Sequence, residues 1–300
     1  MHEEATLYSG GAWLPVLLDI PDRRSGGPYP TVVLAHGLAN DRDEGAQFPP
    51  LAGRLRDAGY LVMRFDFRGG ARSVDPGRML VGSQWPHDLL AAVTWIRRHP
   101  AADPARVSVV GASWGGGVAI HVAAAEPTLR CLVTLGTPAA GERWLRELWT
   151  AGHGEDGWHA FQASVLEDRA RRAAGEPSRR VRLAAGLLAV PAAELDSVEA
   201  FIAAHPGMVA ELPLEVADDL LLFAPERSAP AVRCPVRVLH GTADDLVSPR
   251  EAAAYGRALG ARADVMPVAG GVHQLLLGNT REEVIEAVVE WLTLHQGLVT

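Results

Sequence analysis

The chain has no lysine: all 28 of its basic residues are arginine. That absence excludes a Schiff-base nucleophile, a pyridoxal phosphate anchor and a P-loop lysine together. Cysteine is almost as scarce. The two present, Cys131 and Cys234, lack metal-ligand spacing, and each opens a predicted strand. Buried thiols are therefore expected. Positive charge is in deficit, with a formal net charge of −8, so there is no electrostatic footprint for nucleic acid. No apolar run is long enough to span a membrane. Met1-His2-Glu3-Glu4 is acidic and leads into a strand, not into the apolar segment of a signal peptide. A cytoplasmic location is the expectation.

What is there suits a globular chain. Apolar residues make up 48% of 300 residues, enough for a sizeable core in one large α/β domain or two small ones. Runs over 5–9 and 13–20 read as a hairpin turning at Gly10-Gly11. Short, mostly apolar runs follow at 31–35, 60–65, 107–110, 131–135 and 236–239, the pattern of strands buried on both faces, and 263–267 reads as a further short strand. Helical spacing separates them at 48–58, 88–98, 114–125, 251–259 and 282–294. The segment 21–30 is turn-rich and expected to be exposed. This alternation predicts an α/β fold: a mainly parallel central sheet with an N-terminal antiparallel hairpin. In such sheets ligands bind at the carboxyl ends of the strands. His36, Asp66, Ser113, Thr137 and His240 all fall there.

Between Thr137 and Cys234 the alternation stops. Helical patches at 142–149, 158–172, 179–188, 195–204 and 215–222 are divided by Gly152, Gly175-Glu176-Pro177, Pro191 and His205-Pro206-Gly207. A connection longer than about 15 residues is rarely only a loop. The expected division is a core of 1–137 with 234–300, and a helical cap of 138–233 inserted over the strand ends.

One stretch organises the chemistry. Val107-Ser108-Val109-Val110 runs straight into Gly111-Ala112-Ser113-Trp114-Gly115, and a small-residue helix follows. Strand, sharp turn and helix is the context a nucleophile elbow requires. Gly111 and Gly115 make room where a Cβ would clash across the turn. The helix starting at Trp114 aims its N-terminal N–H groups at Ser113, where they can hold a developing negative charge. A serine needs a base, and the base needs an orienting group. Downstream, His240-Gly241-Thr242-Ala243-Asp244-Asp245 places carboxylates just past a buried strand. Gly270-Gly271-Val272-His273 places an imidazole on a glycine-rich loop after the last strand.

With these pieces, the chain resembles the α/β-hydrolase superfamily, especially its esterase, serine-aminopeptidase-like and dienelactone-hydrolase-like branches. The resemblance runs from Trp13 to Leu294 outside the insertion. It is carried by His36-Gly37, Phe65-Asp66-Phe67-Arg68-Gly69, the elbow, His240-Gly241-x-x-Asp244-x-x-Val247 and His273. It implies Ser113 as nucleophile, His273 as general base and Asp244 as the orienting acid. It also implies an oxyanion hole from the backbone N–H groups of Leu38 and Trp114, with no cofactor and no metal. Two positions depart from the family pattern: Val272 precedes the histidine, where a small residue is usual, and the loop after Asp66 reads Arg68-Gly69-Gly70-Ala71-Arg72-Ser73.

Other residues carry less. His36 is expected to shape the oxyanion loop by hydrogen bonding, and His240 to be structural. Arg169, Arg171, Arg172, Arg179, Arg180 and Arg182 read first as a solvated helix pair with acidic neighbours, and second as a dock for an anionic acyl-CoA. Trp144, Leu148, Trp149 and Trp158 either line an acyl pocket or fix the cap to the body. The leading expectation is a serine hydrolase that cleaves a carboxylic ester or thioester of a small-molecule acyl substrate. The alternatives are a peptidase or acyltransferase with the same site, and a non-catalytic binding module. A homodimer is compatible with the sequence.

Overall fold

The computed structural model describes residues 1–22, 27–205 and 207–297. A hairpin of β1 (His2–Ser9) and β2 (Ala12–Asp19) opens the chain and turns at Gly10 and Gly11, both at positive φ. Then come β3 (Tyr29–Ala35), α1 (Phe48–Asp57), β4 (Leu61–Phe65), α2 (Trp85–Ile96), β5 (Ala102–Ala112), α3 (Trp114–Ala125) and β6 (Leu132–Leu135). The chain leaves the sheet through α4 (Gly141–Ala173), β7 (Arg180–Arg182), α5 (Leu195–Ala204), β8 (Glu211–Pro213) and α6 (Glu215–Leu222). It returns with β9 (Val236–Gly241), α7 (Arg250–Leu259), β10 (Ala263–Val268) and α8 (Arg281–Gln296).

Eight strands form one sheet in the order β1-β2-β4-β3-β5-β6-β9-β10. Only the β1–β2 and β2–β4 pairings are antiparallel; the rest of the sheet, from β4 to β10, is parallel. Both faces are covered, which is why the central strands carry no polar alternation. In β3, Val33 and Ala35 join the core beneath α2 and α3, while Val32 and Leu34 join the core beneath α1 and α8. Each large apolar side chain buried this way contributes about 1.5–3 kcal/mol relative to exposure. The parallel strands all point their carboxyl ends to one edge, where the loops after β3, β5, β9 and β10 meet.

Three local expectations need correction. The first concerns Gly152, which does not end a helix. The chain runs through it and departs from helical geometry at Gly154 (φ 71, ψ −179). Gly152 is small for packing, since a Cβ there would lie 2.4 Å from the Ala189 carbonyl oxygen. The second concerns 179–188, which is not one helix. Arg180–Arg182 pairs with Glu211–Pro213 as a separate two-stranded sheet, and Leu183–Leu187 forms a single π-helical turn. Pairing with Glu211–Pro213, continued by Leu183 N–H to Ala210 O and Leu214 N–H to Arg179 O, both at 2.8 Å, holds the extended form, so tertiary pairing overrides the local helical spacing. The third concerns 21–30. Tyr29 and Pro30 are buried in β3, Gly27 and Pro28 are exposed, and 23–26 lie outside the described residues, as does Pro206.

Among its described residues the segment from β6 to β9 supplies no strand to the main sheet, yet it shares the core. Trp144, Leu145, Phe161 and Leu183 belong to the same apolar cluster as Val109 and Trp114. No described helix is long and apolar enough to cross a membrane.

Candidate active site

Ser113 follows β5 directly and precedes α3. Its backbone sits at φ 47, ψ −125, a left-handed conformation that is costly for a residue with a Cβ. The surroundings impose it. Ser113 N–H donates to Leu135 O at 2.8 Å, and Gly116 N–H donates back to Ser113 O at 3.0 Å. A Cβ on Gly111 would lie 2.5 Å from Gly116 Cα, and one on Gly115 would lie 2.2 Å from Ala35 O. The glycines therefore let β5, α3 and the end of β3 pass at backbone contact. The turn holds the serine at the N-terminus of α3, the end at which a helix leaves backbone N–H groups without intrahelical partners.

Asp244 and His273 are brought together by two stitched loops. Ala243 N–H donates to Gly271 O at 2.9 Å, and Gly270 N–H donates to Thr242 Oγ1 at 2.9 Å. His273 Nδ1 donates to Asp244 Oδ2 at 3.0 Å, while Asp244 Oδ1 accepts from Leu246 N–H at 3.1 Å and Val247 N–H at 2.8 Å. The carboxylate is thus saturated and buried, and its bond fixes the imidazole tautomer with Nε2 as the acceptor. Gly136 (φ 56) lies under the pair, since a Cβ there would be 3.3 Å from His273 Nδ1 and 3.4 Å from Asp244 Oδ2. Asp245, the neighbouring carboxylate, is exposed at the cavity rim. His240 bonds Val247 O through Nε2 at 2.8 Å and braces the same loop.

Leu38 and Trp114 border one cavity together with Ser113 and His273. The loop after β3 comes very close to the serine: a Cβ on Gly37 would be 3.0 Å from Ser113 Cβ. His36 shapes this loop as expected. It is fully buried against Phe67 and Trp85, accepts from Phe67 N–H at 2.9 Å, and contacts Gly37 O through Nδ1 at 2.8 Å. Burial pushes its imidazole down to about 4, so it is neutral near pH 7.

One group in this loop escaped the sequence reading. Glu44 is 4% exposed, accepts from Gly37 N–H and from Asn40 Nδ2, and lines the cavity. Burial pushes its carboxyl up to about 8, against the lowering effect of the Gly37 N–H and with a further push from Asp41. Its spacing from His36 matches no motif, and only the folded loop brings it to the site.

The cavity has a volume of about 530 Å³. Trp144 and Leu148 line it, with Leu183, Leu188, Val198 and Ile202 from the same segment between β6 and β9. Trp149 and Trp158 are placed elsewhere: Trp149 stacks on Phe161 at 4.5 Å, and Trp158 packs on the same ring at 5.9 Å. Trp144 does both jobs, since its Nε1–H also donates to Leu246 O at 2.9 Å, on the loop that holds Asp244. Five arginines of the cluster form ion pairs: Arg169 and Arg172 with Asp218, Arg171 with Glu176, Arg180 with Glu211 and Arg182 with Glu199; Arg179 contributes its backbone N–H to Asp168 Oδ1 at 2.6 Å. Among the described residues no arginine lines the cavity, and no cluster of His, Cys, Asp and Glu could hold a metal ion.

A mostly parallel eight-stranded sheet with a strained serine turn after β5 is the architecture of an α/β hydrolase. A family model described as serine aminopeptidase, S33, matches residues 26–280, and the chain belongs to that family. It is 24% identical over 271 residues to an Escherichia coli protein described as an uncharacterized 31.7 kDa protein in the traX-finO intergenic region, covering 89% of this chain and 91% of that one. It is 34% identical over 115 residues to esterase EstD of Thermotoga maritima, covering 37% of this chain and 27% of the relative. The crystal structure of the α/β hydrolase GrgF from Penicillium sp. sh18 superposes with a TM-score of 0.82 at 15% identity, covering 99% of this chain and 100% of that one.

Proposed function

We propose that the protein is a serine esterase that hydrolyses uncharged carboxylic esters with an apolar acyl group. The observation that carries this reading is the His273–Asp244 hydrogen bond on the cavity that also holds Ser113 in its strained turn. Ser113 Oγ attacks the ester carbonyl while His273 Nε2 takes its proton. Asp244 holds the imidazole and stabilises the charge it acquires. The tetrahedral oxygen sits between the N–H groups of Leu38 and Trp114, at the N-terminus of α3. His273 then returns the proton to the leaving alcohol, and an acyl-enzyme remains on Ser113. A water that gives up its proton to the same imidazole releases the acid and regenerates the serine.

The cavity argues for the substrate class. Its size suits a small organic ligand, and the insertion 138–233, read as a cap, supplies an apolar wall from Leu148, Leu183 and Ile202. The ionisable groups around it are carboxyls, Glu44, Glu194 and Asp245, together with His273. A coenzyme A thioester would find no cation for its phosphates there. The esterase named among the relatives agrees in reaction class. The two carboxylates Glu194 and Asp245 favour one secondary reading, in which they hold the amino group of an aminoacyl substrate.

The test is a panel of p-nitrophenyl esters of graded acyl length, run beside acyl-CoA thioesters and aminoacyl anilides, with wild type and Ser113→Ala. Ester turnover that falls roughly a thousandfold or more in the variant is the expected result. Should Ser113→Ala keep about a tenth of wild-type turnover, Ser113 is not the nucleophile. Preference for the anilides would transfer the assignment to the aminoacyl reading.

A further inference from the structure

The loop that carries Leu38 is clamped at two successive peptides. His36 Nε2 is occupied as the acceptor for Phe67 N–H, so Nδ1 is the protonated nitrogen and donates to Gly37 O at 2.8 Å. A trans peptide points its C=O and N–H in opposite directions. With the Gly37 oxygen turned to His36, the Leu38 N–H of the same peptide faces the other way. The preceding peptide is held by a different group: Gly37 N–H donates to Glu44 Oε2, while Glu44 Oε1 accepts from Asn40 Nδ2 at 3.0 Å. One peptide is thus pinned on each side of Gly37 Cα, and glycine's two soft dihedrals lose their freedom.

Glu44 is maintained at this position under strain. Its φ is 50, and Ala46 beside it has φ 69, both left-handed conformations that side chains disfavour. Its carboxyl is buried and faces the cavity of Ser113 and His273. A Cβ on Gly37 would be 3.0 Å from both Glu44 Oε1 and Ser113 Cβ, so the carboxyl and the serine converge on one glycine. The hydrolysis derived above makes no use of this group.

We propose that Glu44 is a positioning residue for the reaction at Ser113, clamping the Gly37 N–H so that the Leu38 N–H is presented to the developing oxyanion. The proposal rests on Ser113 being the nucleophile. It also predicts a pH dependence. The titratable or charged groups around Glu44 are Asp41 on its own loop, tied to Arg72 at 3.0 Å, His36 at the end of β3, and Ser113 and His273 on the shared cavity. With its carboxyl pushed up to about 8, Glu44 is neutral at pH 7. Ionised above that pH, it sets a negative charge beside the place where the reaction develops one, and the two repel. Turnover should therefore decline on the alkaline side.

Glu44→Gln keeps the shape and stays neutral at every pH. Its amide oxygen can accept the Gly37 N–H, and its NH₂ can meet Asn40 Oδ1, which has no hydrogen-bond partner among the described residues. Glu44→Ala removes the clamp. The experiment measures kcat and KM for one p-nitrophenyl ester from about pH 6 to 9.5 in wild type and both variants. Glu44→Gln should hold kcat within about threefold at pH 7 and lose the alkaline decline. Glu44→Ala should lose about tenfold or more in kcat with KM within about twofold, because the donor acts on the transition state. An alkaline decline in Glu44→Gln equal to the wild type's overturns the proposal, as does an undiminished kcat in Glu44→Ala. If Glu44→Ala does not fold, the pH profile of Glu44→Gln decides alone. Labelling by a serine-directed fluorophosphonate separates the two levels. Labelled Ser113 with a failed Glu44 series defeats the clamp and leaves the nucleophile standing. Unlabelled Ser113, with Ser113→Ala as active as wild type, defeats both.

Discussion

At the residue scale, the site depends on which of two adjacent carboxylates reaches the imidazole. Asp244 is buried, and each of its oxygens is committed: Oδ1 to the Leu246 and Val247 N–H groups, Oδ2 to His273. Asp245 is exposed. Consecutive residues leaving a strand turn to opposite sides, and here one turns inward and the other to the cavity rim. Asn at 244 would offer an amide where His273 Nδ1–H needs an acceptor, favouring the wrong tautomer. Asp244→Asn should therefore cost roughly a thousandfold or more in kcat, and Asp245→Asn less than about threefold. Steady-state kinetics of the two variants at one pH decide it, and an equal loss in both would undo the assignment of Asp244.

At the element scale, glycine does two different jobs, and the sequence distinguishes them poorly. Gly111 and Gly115 were legible because a strand runs into them and a helix leaves them, a context in which only backbone contact explains two glycines. Gly152 read as a helix break, yet it is a packing glycine whose missing side chain admits the Ala189 carbonyl. Gly152→Ala places a Cβ 2.4 Å from that oxygen. Backbone on both sides must move, which should destabilise the protein by about 1–3 kcal/mol. A thermal melt should show a drop of several degrees, and an unchanged Tm would mean that the Ala189 turn yields freely. The same limit explains the other misses. The strand Arg180–Arg182 alternates over only three residues, too short a run to outweigh the helical spacing around it; it is extended because Glu211–Pro213 pairs with it from far along the chain. Glu44 is invisible for a related reason: its role lies in a contact with Gly37 across a loop of left-handed residues. The core strands, in contrast, were legible because burial on both faces leaves an apolar run that no helix of that length would need.

At the scale of the whole molecule, the segment between β6 and β9 and the sheet share one apolar core, so a change in that segment can act on stability, on selectivity or on both. Position relative to the cavity separates these effects. Leu148 lines the cavity and has no polar link to the loops of Asp244 and His273, whereas Trp149 does not line it and stacks on Phe161. Trp144 is a poor probe because its indole N–H also steadies the loop of Asp244. Under the cap reading, binding an acyl chain buries it at about 0.8 kcal/mol per CH₂, or roughly fourfold in kcat/KM for each methylene that finds a wall. Leu148→Ala removes part of that wall. It should flatten the dependence of kcat/KM on acyl length, or move the optimum to a longer chain, while acetate turnover changes by less than about threefold. Trp149→Ala should lower Tm through the cavity it leaves and preserve the ranking of esters. The measurement is kcat/KM across a p-nitrophenyl ester series from acetate to decanoate for both variants. A proportional loss on every ester in Leu148→Ala, with the protein folded, would make this wall part of the catalytic machinery instead of the selector.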